Sequence, residues 1–108
     1  MRLPTEVFGN VVVVHTTDEL AGQEAGEVAR FLASLEPVQV VLDIDALEVV
    51  DSHGLEALLE AKEGLVQRGG DLRITTTNSV NRTLLRITRL DEQLEVFDSL
   101  IDAVKSYQ

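Results

Sequence analysis

Apolar and polar positions along this chain follow two rhythms, and the changes of rhythm mark its elements. Val7-Phe8 and Val11-Val12-Val13-Val14 flank Gly9-Asn10, a two-residue turn of the kind that joins antiparallel strands. Ala25, Val28, Phe31, Leu32 and Leu35 fall at helical spacing and predict a first helix over Glu24 to Leu35, ended by Pro37. Gly26 within it costs ~1 kcal/mol relative to alanine and weakens its first turn. The near-continuous apolar run from Val38 to Ile44 reads as a buried central strand. A short apolar turn follows, Leu47-Glu48-Val49-Val50. Beyond it a second helix places Leu55, Leu58, Leu59, Leu65 and Val66 on one face and Glu56, Glu60 and Glu63 off it.

Gly69-Gly70 closes that helix, because glycine reaches the left-handed conformation a C-cap needs. A strand at Leu72 to Thr76 and a third helix from about Val80 to Thr88 follow, with Asn78 or Ser79 as cap. Leu94 to Phe97 reads as a short strand. A last helix starts at Ser99, whose hydroxyl and Asp102 form a capping-box variant, with Leu100, Ile101, Val104 and Tyr107 as its apolar stripe. The pattern predicts an α/β fold: an opening β-hairpin, then alternating strands and helices, giving a mixed β-sheet covered by helices. Right-handed crossovers set the start of the second helix at the C-terminal edge of the Val38 strand, where ligand sites of such sheets gather.

Composition narrows the function. The 108 residues make one domain with one core and show no linker or repeat. A net charge of −10 opposes a nucleic-acid or anionic-membrane partner, since either needs a cationic surface. With no cysteine there are no disulfides or thiolate metal sites. Val11 to Val14 is too short to cross a bilayer, and Met1 to Glu6 lacks a signal-peptide core. A cytoplasmic domain without membrane insertion is expected.

The densest cluster of chemistry-bearing residues is Asp51-Ser52-His53-Gly54-Leu55, at a strand-to-helix junction. A hydroxyl there can cap the helix, hold an anion or carry a phosphate, because backbone N–H groups and the positive end of the helix dipole point outward. Asp51, Ser52 and His53 supply the side-chain types of a hydrolase triad, but three consecutive side chains leave the backbone in different directions and do not converge. No nucleophile elbow, metal-ligand spacing or phosphate loop is present, so the chain reads as no enzyme, with no metal and no cofactor. Arg82, Arg86 and Arg89 form a one-sided stripe, either solvated, paired internally or set against an acidic partner.

The ordered set of these segments resembles the STAS family, the domain of anti-sigma-factor antagonists and sulfate-transporter tails. There an Asp-Ser-Ser-Gly-Leu-like motif opens the second helix, followed by Gly-Gly, a strand, a helix ending in Thr-x-Leu and a short strand ending in Phe. Here those pieces are Asp51 to Leu55, Gly69-Gly70, Leu72 to Thr76, Thr88-Arg89-Leu90 and Leu94 to Phe97. The resemblance implies a signalling protein that binds an anti-sigma factor or serine kinase through the turn Asp18-Glu19-Leu20 and through Asp51, His53, Gly54 and Leu55. Ser52 would then be the phosphorylation site that releases the partner. The alternatives are a STAS subunit or scaffold of a transporter or other multi-protein complex without a phosphorylation cycle, and a sensor of a small anionic ligand or nucleotide. Three positions depart from the family pattern, the first being Asp18, which stands where the glycine of a Gly-Glu-Leu-Asp-like turn is usual. His53 stands where Ser or Thr is usual, and Ala21 stands where the Gly-Glu-Leu-Asp-like turn closes with aspartate.

Overall fold

The run of valines in the opening hairpin is β-branched and apolar on both sides, which suits a strand covered on both faces. The computed structural model describes residues 3–108, and there Val11, Val12, Val13 and Val14 are all buried. They form β2 (Val11–His15), paired antiparallel through the Gly9-Asn10 turn with β1 (Thr5–Phe8). A two-residue strand, β3 (Glu19–Leu20), leads into α1 (Gly22–Ala33), and β4 (Gln39–Asp43) follows. Next come β5 (Val49–Val50), α2 (Ser52–Gln67) and β6 (Asp71–Thr75). The chain ends with α3 (Ser79–Ile87), a single 3₁₀ turn at Leu90–Glu92, β7 (Val96–Phe97) and α4 (Leu100–Lys105).

The main sheet has the order β1-β2-β4-β6-β7, antiparallel at the hairpin and parallel elsewhere, while β3 and β5 pair in parallel as a small second sheet. The Val38 segment is therefore central, as its near-continuous apolar run predicts. Alternation along the strands divides the interior in two. Val12, Val14, Val40, Leu42, Leu72 and Ile74 face α1 and α2, and Leu85 of α3 joins that core. Val11, Val13 and Val41 face the other way, against Ala103, Leu100, Val104 and Tyr107 at the C-terminal end. The Tyr107 hydroxyl donates to the carbonyl of Val40 (2.8 Å), and Arg73 stacks 4.0 Å from its ring.

Several expected boundaries and faces shift. Helix α1 begins at Gly22 and ends at Ala33, so Leu35 lies beyond it, though still packed on the core. In α2 the exposed Val66 does not belong to the buried face, which Ala57 and Ala61 complete instead. Their small size lets α1 and α2 approach closely. A Cβ added at Gly64 would stand 2.9 Å from the Cβ of Ala33. In α4 it is Ala103 that is buried, whereas Ile101 is exposed. Of the readings open for the three arginines, internal pairing holds for Arg82 and solvation for Arg86. Arg82 pairs with Asp98, Arg89 approaches Glu92 at 3.9 Å from a left-handed position after the helix, and Arg86 has no ion-pair partner among the described residues.

Leu42 is fully buried in the central strand. Leu42→Ala is expected to lower the unfolding free energy by ~2–5 kcal/mol in a denaturant titration. A loss below about 1 kcal/mol would contradict its place in the core.

Candidate functional site

Aspartate and serine both cap helices well, and here they are adjacent at the start of α2. The chain uses the aspartate. Asp51 has extended backbone and is the N-cap, its Oδ1 accepting the Gly54 amide at 3.0 Å. Its second oxygen, Oδ2, accepts the amide of Gly22 at 3.0 Å, the first residue of α1. The N-cap of α1 is Ala21, which has no side-chain acceptor. One carboxylate thus serves the first turns of two helices, and it supplies for α1 what the alanine at position 21 lacks.

This geometry holds the Asp51 carboxyl below the usual carboxylate range. The Gly54 amide is the main cause, opposed by slight desolvation and aided by the Gly22 amide and by His53, whose Nδ1 lies 3.4 Å from Oδ2. Ser52, freed from capping, occupies the first helical position with its side chain exposed. The reading of Ser52 as helix cap is therefore corrected to Asp51. His53 is exposed beside it, and Leu55 is half-buried against the core.

Gly54 has a steric role. A Cβ there would lie 2.1 Å from the carbonyl oxygen of Leu20 and 2.8 Å from a methyl of Val50. Only glycine lets the helix start pack this tightly onto β3 and β5. That contact also explains the turn at Asp18-Glu19-Leu20, which is partly a strand, with Asp18 and Glu19 exposed and Leu20 buried. Glu19 pairs with Val49 and Leu20 with Val50, and the carbonyl of Asp18 accepts the amides of Glu48 and Val49. Leu20 is 1% exposed and belongs to the core, so it is no anchor for a partner. The apolar group that does reach solvent is Val49, 52% exposed and directly across from Glu19. The sequence signal for it was present in the apolar turn Leu47 to Val50, but nothing local told which of its residues would face outward.

The surface around the α2 start therefore carries Asp18, Glu19, Val49, Ser52 and His53, all exposed, over a frame made by Leu20, Val50, Asp51 and Gly54. A third helix start stands nearby. The buried amide of Asn81 donates to the carbonyls of Ile44 (2.8 Å) and Leu47 (3.4 Å), tying α3 to the segment that leads into β5. Beside it Asp45 accepts from the Thr76 hydroxyl (2.8 Å) and from the Thr77 amide (2.6 Å) and hydroxyl (3.1 Å). Burial pushes the Asp45 carboxyl up, but these hydrogen bonds outweigh it and the net shift is downward. Among the described residues no group of three or more His, Cys, Asp or Glu side chains is arranged to hold a metal ion, and no helix is long and apolar enough to cross a membrane.

A carboxyl lowered by folding stabilises the native state above its ordinary range of about pH 4, and that contribution is lost as pH falls through the lowered value. Asp51→Asn should therefore reduce the melting temperature near neutrality and flatten its decline in acid, as followed by circular dichroism. Ser52→Ala, which removes no cap, should melt like the wild type. Equal losses for the two variants would show that the hydroxyl and not the carboxylate caps α2.

Solved structures of similar fold include an anti-sigma factor antagonist from Mycobacterium paratuberculosis, 23% identical, with a TM-score of 0.82 over 97% of this chain and 92% of that one. An anti-sigma-factor antagonist (STAS) domain protein from Planctomyces limnophilus is 15% identical, with a TM-score of 0.79 over 98% and 97%. The anti-sigma factor antagonist SpoIIAA in its unphosphorylated form is 14% identical, with a TM-score of 0.76 over 98% and 96%. At these identities the likeness is one of fold. No curated protein sequence matches the chain. The STAS domain family model matches residues 2–103, nearly the whole chain and every element of the site just described. The chain belongs to the STAS domain family.

Proposed function

We propose that this protein is a non-catalytic binding switch of the anti-sigma-factor-antagonist kind, which binds an anti-sigma factor or serine kinase through the surface at the start of α2 and releases it when Ser52 is phosphorylated. One observation carries this reading: Asp51 performs the capping, which leaves the Ser52 hydroxyl exposed at the first position of the helix. A serine needed for structure would be a poor switch, whereas one held outward by its neighbour is accessible to a kinase. The similarity to anti-sigma factor antagonists supports the partner class.

Partner contact would fall on Asp18, Glu19, Val49, Ser52 and His53. Val49 takes the place of Leu20 as the apolar anchor, with Leu55 and Gly54 shaping the surface from beneath. Phosphorylation adds about −1.5 to −2 charges next to Asp51 and Glu19. That charge repels an interface that must desolvate the same groups, while the helix N-terminus tolerates it locally. His53, in place of a hydroxyl, leaves Ser52 as the one acceptor in the motif.

Titration calorimetry of the native partner, recovered by pull-down from the source cell, tests the proposal. Ser52→Asp should weaken binding by about tenfold or more, about 1.4 kcal/mol. Ser52→Ala should bind like the wild type, and Val49→Ser should lose affinity without losing the fold. Wild-type affinity in Ser52→Asp together with loss of the complex in Arg86→Glu would move the interface to α3 and overturn the reading.

A further inference from the structure

Edge strand β1 has no buried side chain, and all four of its residues are exposed. Among the described residues it pairs only with β2, and its attachment rests on ladder hydrogen bonds, on the buried Leu3 just before it, on Phe8 beside α4, and on one side-chain bridge. That bridge is His15, at the end of β2. Its Nε2 stands 2.7 Å from Oε1 of Glu6 on β1, and its Nδ1 stands 2.9 Å from Oδ2 of Asp43 on β4. A single imidazole links three neighbouring strands.

We propose that the Glu6–His15–Asp43 bridge is a pH-sensitive latch that holds the edge strand to the sheet when His15 is protonated and lets it loosen when the proton is lost. The geometry of the bridge supports this. A neutral imidazole has one N–H, so its other nitrogen would set a lone pair against a carboxylate oxygen less than 3 Å away. Only the imidazolium donates to both. On deprotonation the remaining N–H stays with Asp43, whose side chain is 20% exposed, and Glu6, 54% exposed and on the edge strand, turns to water.

The surrounding charges do not replace the bridge. Asp102 and Lys105 of α4 and Asp71 and Arg73 of β6 belong to the elements packed on this face, and none forms an ion pair with the ring. Asp71 is engaged by Lys62 at 2.8 Å and by Arg73 at 3.6 Å. Asp45 is occupied by Thr76 and Thr77, and Asp98 by Arg82. Burial works to lower the proton affinity of His15, but the hydrogen bonds to Glu6 and Asp43 and the charges of both carboxylates outweigh it, so the ring titrates above the ordinary histidine value. The latch is therefore fully closed below that ordinary value and opens as pH rises through the raised one. Opening loosens the strand that carries Phe8, which borders an apolar hollow with Leu100, Ile101 and Val104 of α4.

Amide hydrogen exchange of the whole chain, corrected for intrinsic rates and combined with ring ¹⁵N shifts of His15, provides the test. The amide of His15 donates to the carbonyl of Pro4 (2.9 Å), and antiparallel alternation then places the Glu6 and Phe8 amides in the ladder as reporters. Between about pH 6 and about pH 8.5 their protection should fall by about tenfold, in step with the ring, while the β4–β6 ladder stays protected. Glu6→Gln, an exposed change outside the core, should abolish the step, and His15→Gln should do the same. Constant protection through the ring's titration, a ring that titrates at or below the ordinary histidine value, or an unchanged step in Glu6→Gln would each overturn the latch.

Discussion

The carboxylate of Asp51 lies between the first turns of α1 and α2, one oxygen accepting from each helix. Helix starts present unpaired amides and partial positive charge, and two of them brought side by side repel unless something negative stands between. Asp51 is that group, and much of the surface arrangement follows from it. With the cap assigned to Asp51, Ser52 and His53 are turned outward. With the α2 start fixed against α1, Gly54 meets the backbone of Leu20, and β3 must lie where it does. Farther along, the close approach of Gly64 to Ala33 continues the same helix pair. The site is thus the open end of a helix–helix contact made of small residues and tied by one aspartate.

The two faces of the main sheet are unequal in a way that suits this arrangement. One carries α1 and α2 over a continuous core of leucines and valines, and Leu85 of α3 reaches the same core. The other is covered by the single short helix α4, with Tyr107 and Arg73 completing it. The site therefore rests on the more heavily covered side, where two long helices restrict its movement. The edge strand β1 and the latch at His15 lie toward the lighter side, where fewer contacts oppose local opening. A chain built this way can keep the surface at the start of α2 rigid while its far edge responds to conditions.

The elements themselves were legible because each long segment carries its own period. The hairpin turn, the central strand, the Gly69-Gly70 stop and the Ser99 cap all follow from local rules, and Ser99 does accept the Asp102 amide. The site was legible only in part. Motif residues Asp51 to Leu55 do open a helix, yet the division of labour between Asp51 and Ser52 depends on the amide of Gly22, twenty-nine positions away. Leu20 looked like an exposed turn residue because a two-residue strand is too short to show a period, and its partner Val50 is just as remote in sequence. For the arginines, internal pairing was one of the readings left open, and its partner could not be named because Asp98, which claims Arg82, is reached only through the fold. Local chemistry specified the elements, and long-range pairing decided which of their residues face outward.

A phosphate on Ser52 would enter a field that is already partly neutralised. The Gly22 and Gly54 amides are taken by Asp51, so the new charge would find the outer side of two helix starts and not their inner amides. Local attraction to the dipoles would then be offset by repulsion from Asp51, and the fold would lose or gain little. A partner covering Glu19, Val49 and Ser52 has no such compensation. It must strip water from a dianion and set it beside existing carboxylates, and each of those steps opposes association. The same aspartate that leaves the serine exposed would also keep the effect of a phosphate there on the proposed interface and away from the core.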